Sequence, residues 1–180
     1  RLSSWDESLT IHPERVPAAA DHLAALFRAR SAALFGLPDG ENARISMVRD
    51  RPWSGYNWYE GGRRSRVEIN LDLPVRVGDL IHTVAHETYP GHHLEAATKE
   101  ARLVDGEGRA ELTLLSINTP ECLLHEGLAD LGYRFAVPPA DEAALIEEVM
   151  HTAGLLLAAD ALAAHDIAAA QVAVGRARRV

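Results

Sequence analysis

A proline–glycine pair, Pro90-Gly91, interrupts a histidine-bearing helical stretch, and this interruption constrains the fold more than any other feature of the 180 residues. On its N-terminal side, residues 78–90 offer Leu80, Ile81, Val84 and Ala85 to a core at helical spacing. On the other side the pattern resumes at His92 and runs to Leu103. Proline removes a backbone donor and its ring collides with the preceding turn, so the helix must break or bend there.

The flanking segments read as a mainly helical α+β chain. Leu23, Leu26, Phe27 and Leu34 mark a helix over residues 17–35, stopped by Gly36-Leu37-Pro38-Asp39-Gly40. Residues 56–60, then Gly61-Gly62, then 65–71 predict an antiparallel hairpin. Its second arm alternates, with Val67, Ile69, Leu71 and Leu73 on one face and Arg66, Glu68, Asn70 and Asp72 on the other. Asp105-Gly106-Glu107-Gly108 reads as a loop and residues 120–135 as a second strong helix. Pro138-Pro139 followed by Asp141-Glu142 opens a long alanine-rich helix. The chain thus divides into an N-terminal helical segment (1–44), a hairpin (45–74), histidine-bearing helices (78–135) and a C-terminal helix (138–180).

Composition sets outer limits. Hydrophobic residues at 47% can build a core, and no apolar run reaches the length of about 18 residues that a membrane helix needs. A net charge of −8 argues against nucleic acid and anionic membrane as partners. The single cysteine, Cys122, excludes an internal disulfide. With arginine-dominated basic residues, it points to the cytoplasm of a bacterium with GC-rich coding.

Nine histidines are an excess, and their placement carries chemistry. In His-Glu-x-x-His, two histidines one turn apart hold one zinc and the glutamate works on its water. Here His86-Glu87-Thr88-Tyr89 supplies four positions before Pro90-Gly91 intervenes. In an unbroken helix His92 would lie about 600° from His86, on the wrong face. His93 would return to that face, but about 10.5 Å along the axis. If Pro90-Gly91 loops out, His92 takes the fifth position, with His93 as the alternative. His82 and His86, also one turn apart, form another possible pair. For a third ligand, Glu126 is followed one turn later by Asp130, an acid able to orient a ligand histidine. His125 is the alternative, and Gly127 would let helices approach closely. Asn70, on the arm preceding the helix, is a candidate for binding a peptide backbone along an edge strand. Tyr133, Tyr89, Tyr59 and His151 are candidates for stabilising an oxyanion, with Tyr133 favoured because it lies seven residues after Glu126. His151 and His165 otherwise read as packing or capping residues, and Cys122 as filler.

At these residues the chain resembles a bacterial family catalogued as domain of unknown function 885. His86-Glu87-Thr88-Tyr89-Pro90-Gly91-His92-His93 is similar to that family's His-Glu-x-x-Pro-Gly-His-His signature, and His125-Glu126-Gly127-Leu128-Ala129 to its later Glu-Gly-Trp-Ala segment. Leu128 replaces the usual tryptophan, and Glu95 stands where glutamine is common. The resemblance is dense over residues 57–133. It implies a mainly helical, gluzincin-like catalytic domain, part of a longer protein, with His86, His92 and Glu126 as ligands of a catalytic Zn2+ and Glu87 as base. The expected activity is a zinc metallopeptidase acting on a peptide or small amide. The alternatives are a non-catalytic metal-binding or scaffold domain, and a metal-dependent amidase or esterase acting on a non-peptide substrate.

Overall fold

The computed structural model describes residues 9–155, a mixed α+β architecture that is mainly helical and carries one three-stranded sheet. Helix α1 (Val16–Phe35) follows a 3-10 turn and buries Val16, Ala19, Ala20, Leu23 and Phe27. Leu34, expected on that face, is exposed, because the last turn of α1 runs past the core.

Strands β1 (Asn42–Val48), β2 (Gly55–Gly61) and β3 (Arg64–Asn70) lie in the order β1-β3-β2. The β2–β3 hairpin matches the sequence reading. Its turn residues Gly62 and Arg63 both have φ of 59°, the positive values a tight two-residue hairpin turn requires. Strand β1 was not anticipated. It pairs parallel to β3, from Asn42 opposite Arg64 to Val48 opposite Asn70, so the sheet is mixed rather than antiparallel. The N-terminal segment therefore stops being helical well before residue 44. β3 ends at Asn70, which leaves Leu73 exposed and off the expected apolar face. Being central, β3 has both backbone edges paired; of the two hairpin strands, β2 keeps a free edge.

Helix α2 (Val77–Glu87) ends before the proline, and α3 (His92–Lys99) begins after it. α3 continues through a wider π-type turn (Glu100–Val104) and a last helical turn (Asp105–Glu107) before Gly108 stops it, so the loop expected from Asp105 starts later. The wide turn aims Glu100 at the hairpin, where its carboxylate accepts from the Tyr59 hydroxyl and from the amides of Gly62 (2.9 Å) and Arg63 (3.2 Å). Helix α4 (Pro120–Ala136) starts with proline in its first turn, and the Thr119 hydroxyl accepts from the Cys122 amide at 3.2 Å. Helix α5 (Glu142–Thr152) is shorter than expected within the described residues and closes at Gly154, with φ of 71°. The remainder of the C-terminal segment, including His165, lies outside the described residues.

The core forms where α2 meets α1 and α5. Val77, Leu80, Ile81, Val84 and Ala85 pack with Leu23, Phe27, Leu145, Ile146, Val149 and Met150 in one apolar cluster. On the outer face of the sheet, Tyr56 and Trp58 stack on Trp53 with ring centroids 4.6–5.9 Å apart. No described helix is long and apolar enough to cross a membrane.

Candidate metal centre

At the end of α2 the Thr88 hydroxyl and amide both donate to the Val84 carbonyl, at 2.6 and 2.9 Å, which closes the helix. The chain then doubles back through Tyr89, a cis-proline at Pro90, and Gly91. The Gly91 amide donates to the Ala85 carbonyl at 3.1 Å. A Cβ at position 91 would stand 1.8 Å from the His86 carbonyl oxygen, so only glycine fits this crossing. The insertion folds onto the last turn of α2 and brings the His92 ring beside His86, edge to face, with centroids 4.6 Å apart.

Helix α4 supplies the third group. Glu126 sets Oε2 at 3.3 Å from His86 Nε2 and Oε1 at 3.4 Å from His92 Nε2. The ligand atoms of His86, His92 and Glu126 all lie within 4.8 Å of one another. Separations of 3.3–3.4 Å are long for N–H···O bonds. They match the roughly 3.3 Å between two ligand atoms each about 2.0–2.1 Å from a tetrahedral ion. Two imidazoles and a carboxylate at this spacing are consistent with a divalent metal ion. One turn along α4, Asp130 Oδ1 lies 3.0 Å from His86 Nδ1. That bond keeps the proton on Nδ1 and leaves the Nε2 lone pair for a metal. His82, His86 and Asp130 form a second, overlapping group, with His82 Nε2 at 3.5 Å from Asp130 Oδ1.

The two histidines are largely buried, whereas the Glu126 and Asp130 side chains are 55% and 64% exposed, so the cluster opens to solvent on the α4 side. Burial, helped by the neighbouring His86, pushes His92 down to about 4, which keeps its ring neutral and able to ligate. Burial pushes the Glu87 carboxyl up to about 7; His86 opposes this shift and Glu126 reinforces it. Strand β2 lies against this end of α2. The Asn57 side-chain amide donates to the Glu87 carbonyl at 2.6 Å, and a Cβ on Gly55 would meet Thr83 Cγ2 at 2.5 Å and Glu87 Cγ at 3.5 Å.

Other candidates are engaged elsewhere. His93 is fully buried, with Nδ1 at 2.8 Å from the Ser65 hydroxyl and Nε2 at 2.9 Å from Glu41, and does not join the cluster. Tyr133 packs its ring 5.5 Å from His82, but its hydroxyl donates to Glu142 on α5 at 3.0 Å, which commits it away from an oxyanion. Asn70, read as a substrate contact, is buried instead. Its amide donates to the carbonyls of Arg51 (2.9 Å) and Trp53 (3.0 Å), and its oxygen accepts from the Asp72 amide (3.0 Å). Tyr89 and Tyr59 donate to Glu41 and Glu100. His151 is exposed on the last turn of α5, and Cys122 is half-buried at the start of α4. His125 turns to Glu95 on α3 at 2.7 Å. Gly127 faces open space; the close approach falls at Gly132, where a Cβ would lie 3.1 Å from Pro90 Cγ. Sequence reasoning missed Glu41, Ser65 and Asn57, which contact this segment, and Arg28, whose Nε donates to Glu41 at 2.8 Å; none of the four sits in a recognisable motif.

What this geometry defines is a potential metal-coordinating pocket built on the corner between two helices and completed by a third. No family model, curated protein or solved structure matches the chain, so its family resemblance rests on the motif residues alone.

Proposed function

We propose that the chain is a zinc-dependent hydrolase that cleaves peptide bonds. The observation that carries this reading is the convergence of His86, His92 and Glu126 from three helices, with the buried carboxyl of Glu87 next to the first ligand. A zinc ion held there would supply Lewis acidity, polarising a carbonyl and easing deprotonation of water. Glu87 takes a proton from the attacking water and returns it to the leaving nitrogen. Asp130 holds the His86 tautomer. An extended peptide pairs with the free edge of β2, whose Gly55 and Asn57 contact the segment carrying Glu87.

The test combines elemental analysis with a peptide-library screen. One zinc per chain is expected, lost in His86→Ala and Glu126→Ala, together with hydrolysis that Glu87→Gln removes while keeping the metal. A chain that stays metal-free after zinc addition and dialysis rules the reading out. Zinc without turnover, indifferent to Glu87→Gln, would favour a non-catalytic metal-binding domain.

A further inference from the structure

Away from the ligand cluster, one buried polar network has no part in the proposed chemistry. Glu41, in the turn before β1, has a side chain only 1% exposed. Its Oε1 accepts from the Arg28 guanidinium on α1, with Nε at 2.8 Å. Its Oε2 accepts from two groups, the Tyr89 hydroxyl and His93 Nε2–H at 2.9 Å. Tyr89 and His93 lie on opposite sides of Pro90-Gly91-His92, so a single carboxylate oxygen joins the two ends of the inserted corner. The other ring nitrogen of His93 accepts from the Ser65 hydroxyl on β3 at 2.8 Å. With Nε2–H donating to Glu41 and Nδ1 accepting from Ser65, the imidazole is satisfied as a neutral tautomer.

A buried carboxylate is expensive unless fully paired, and a loop needs no charge at its base merely to turn. This one ties α1, the sheet and both arms of the corner together, and the residue it brackets is His92. We propose that Glu41 is a positioning residue for the metal centre: through Tyr89 and His93 it fixes the corner that aims His92 at His86 and Glu126. The inference rests on the zinc reading above. It separates the adjacent histidines by role, His92 toward the metal and His93 as the anchor of the corner.

Zinc affinity, measured by competition with a chromophoric chelator, tests it in the full chain. Glu41→Gln and His93→Asn should each weaken zinc binding about tenfold, the lower end of what losing a supporting contact to a ligand costs. The double variant should be no weaker than the worse single one, because both break one strut. Val149→Ala, a core truncation in α5, is the control: it should lower thermal stability yet leave zinc affinity within about twofold. Unchanged affinity in Glu41→Gln, or a loss that Val149→Ala reproduces, overturns the proposal. If Glu41→Gln does not fold, Ser65→Ala removes only the outer bond and should still weaken zinc binding a few-fold; no loss there counts against the strut. Wild-type protein that takes up no zinc defeats the metal reading itself, and the strut is then read in the metal-free chain by histidine ring NMR. Glu41→Gln must shift or broaden the His92 signals while leaving His22 unmoved, and unmoved His92 signals overturn it.

Discussion

Single atoms decide what His86 can do. Asp130 on Nδ1 and Glu126 near Nε2 give its two nitrogens different tasks, and the former bond should be measurable. Asp130→Asn keeps the shape but weakens the acceptor, so zinc affinity should fall about 10- to 100-fold in a chelator competition. Glu87 is the complementary case. It touches the reaction in our reading and ligates nothing, so Glu87→Gln should retain zinc while kcat falls about 10²- to 10⁴-fold in a steady-state peptide assay. The placement of both residues is legible in the sequence, because it follows from local spacing: Glu87 adjoins His86, and Asp130 follows Glu126 by one turn. His93 shows where spacing runs out. In an unbroken helix its angle is better than that of His92, and the fold-back at Gly91 reverses the choice.

Between elements, the corner joining α2 and α3 is held by backbone as much as by side chains. Gly91→Ala would drive a methyl into the His86 carbonyl, which neither strand of the crossing can yield. A loss of about 4 kcal/mol or more is expected in urea unfolding of the metal-free chain. Gly127→Ala, in α4 with open space around it, should instead stabilise by about 0.5–1 kcal/mol through helix propensity. Opposite signs from two glycines near one site would be hard to obtain from any general softness of the region. The elements themselves were legible to different degrees. Hairpin, helix break and the Thr119-Pro120 start of α4 all carry local signals. β1 carries little, since its residues are half-buried or exposed and its partner lies 22 positions away in a parallel pairing that no turn announces. The wide turn at Glu100 was hidden for the same reason: its carboxylate answers to amides of the hairpin, not to its own neighbours.

For the molecule as a whole, Glu41 should be one source of acid sensitivity. Burial raises its pKa, but hydrogen bonds from Tyr89, His93 and Arg28 outweigh this and hold the carboxyl below its usual value. The unfolded chain then binds more protons than the folded one between the two pKa values. Glu41 thus contributes stability that is complete above about 4.5 and is lost as pH falls through the folded value. Urea midpoints across pH 3–7 should decline more steeply in the wild type than in Glu41→Gln, which starts lower at neutral pH. On the zinc reading a second dependence is expected, since a ligand that binds only the folded state at 1,000 times its Kd contributes about 4 kcal/mol. Chelation by EDTA should therefore lower Tm in the wild type and scarcely at all in Glu126→Ala.

The aromatic stack on the outer face of the sheet has a practical consequence. Trp53 and Trp58 are two of the chain's three tryptophans; Trp58 lies on β2, and Trp53 packs against it two residues before that strand begins. Their fluorescence originates from the strand that would receive a substrate, with the Arg66 guanidinium 5.5 Å from the Trp58 ring centre. A peptide adding along that edge would change the emission without any label, giving the protein its own optical gauge of occupancy.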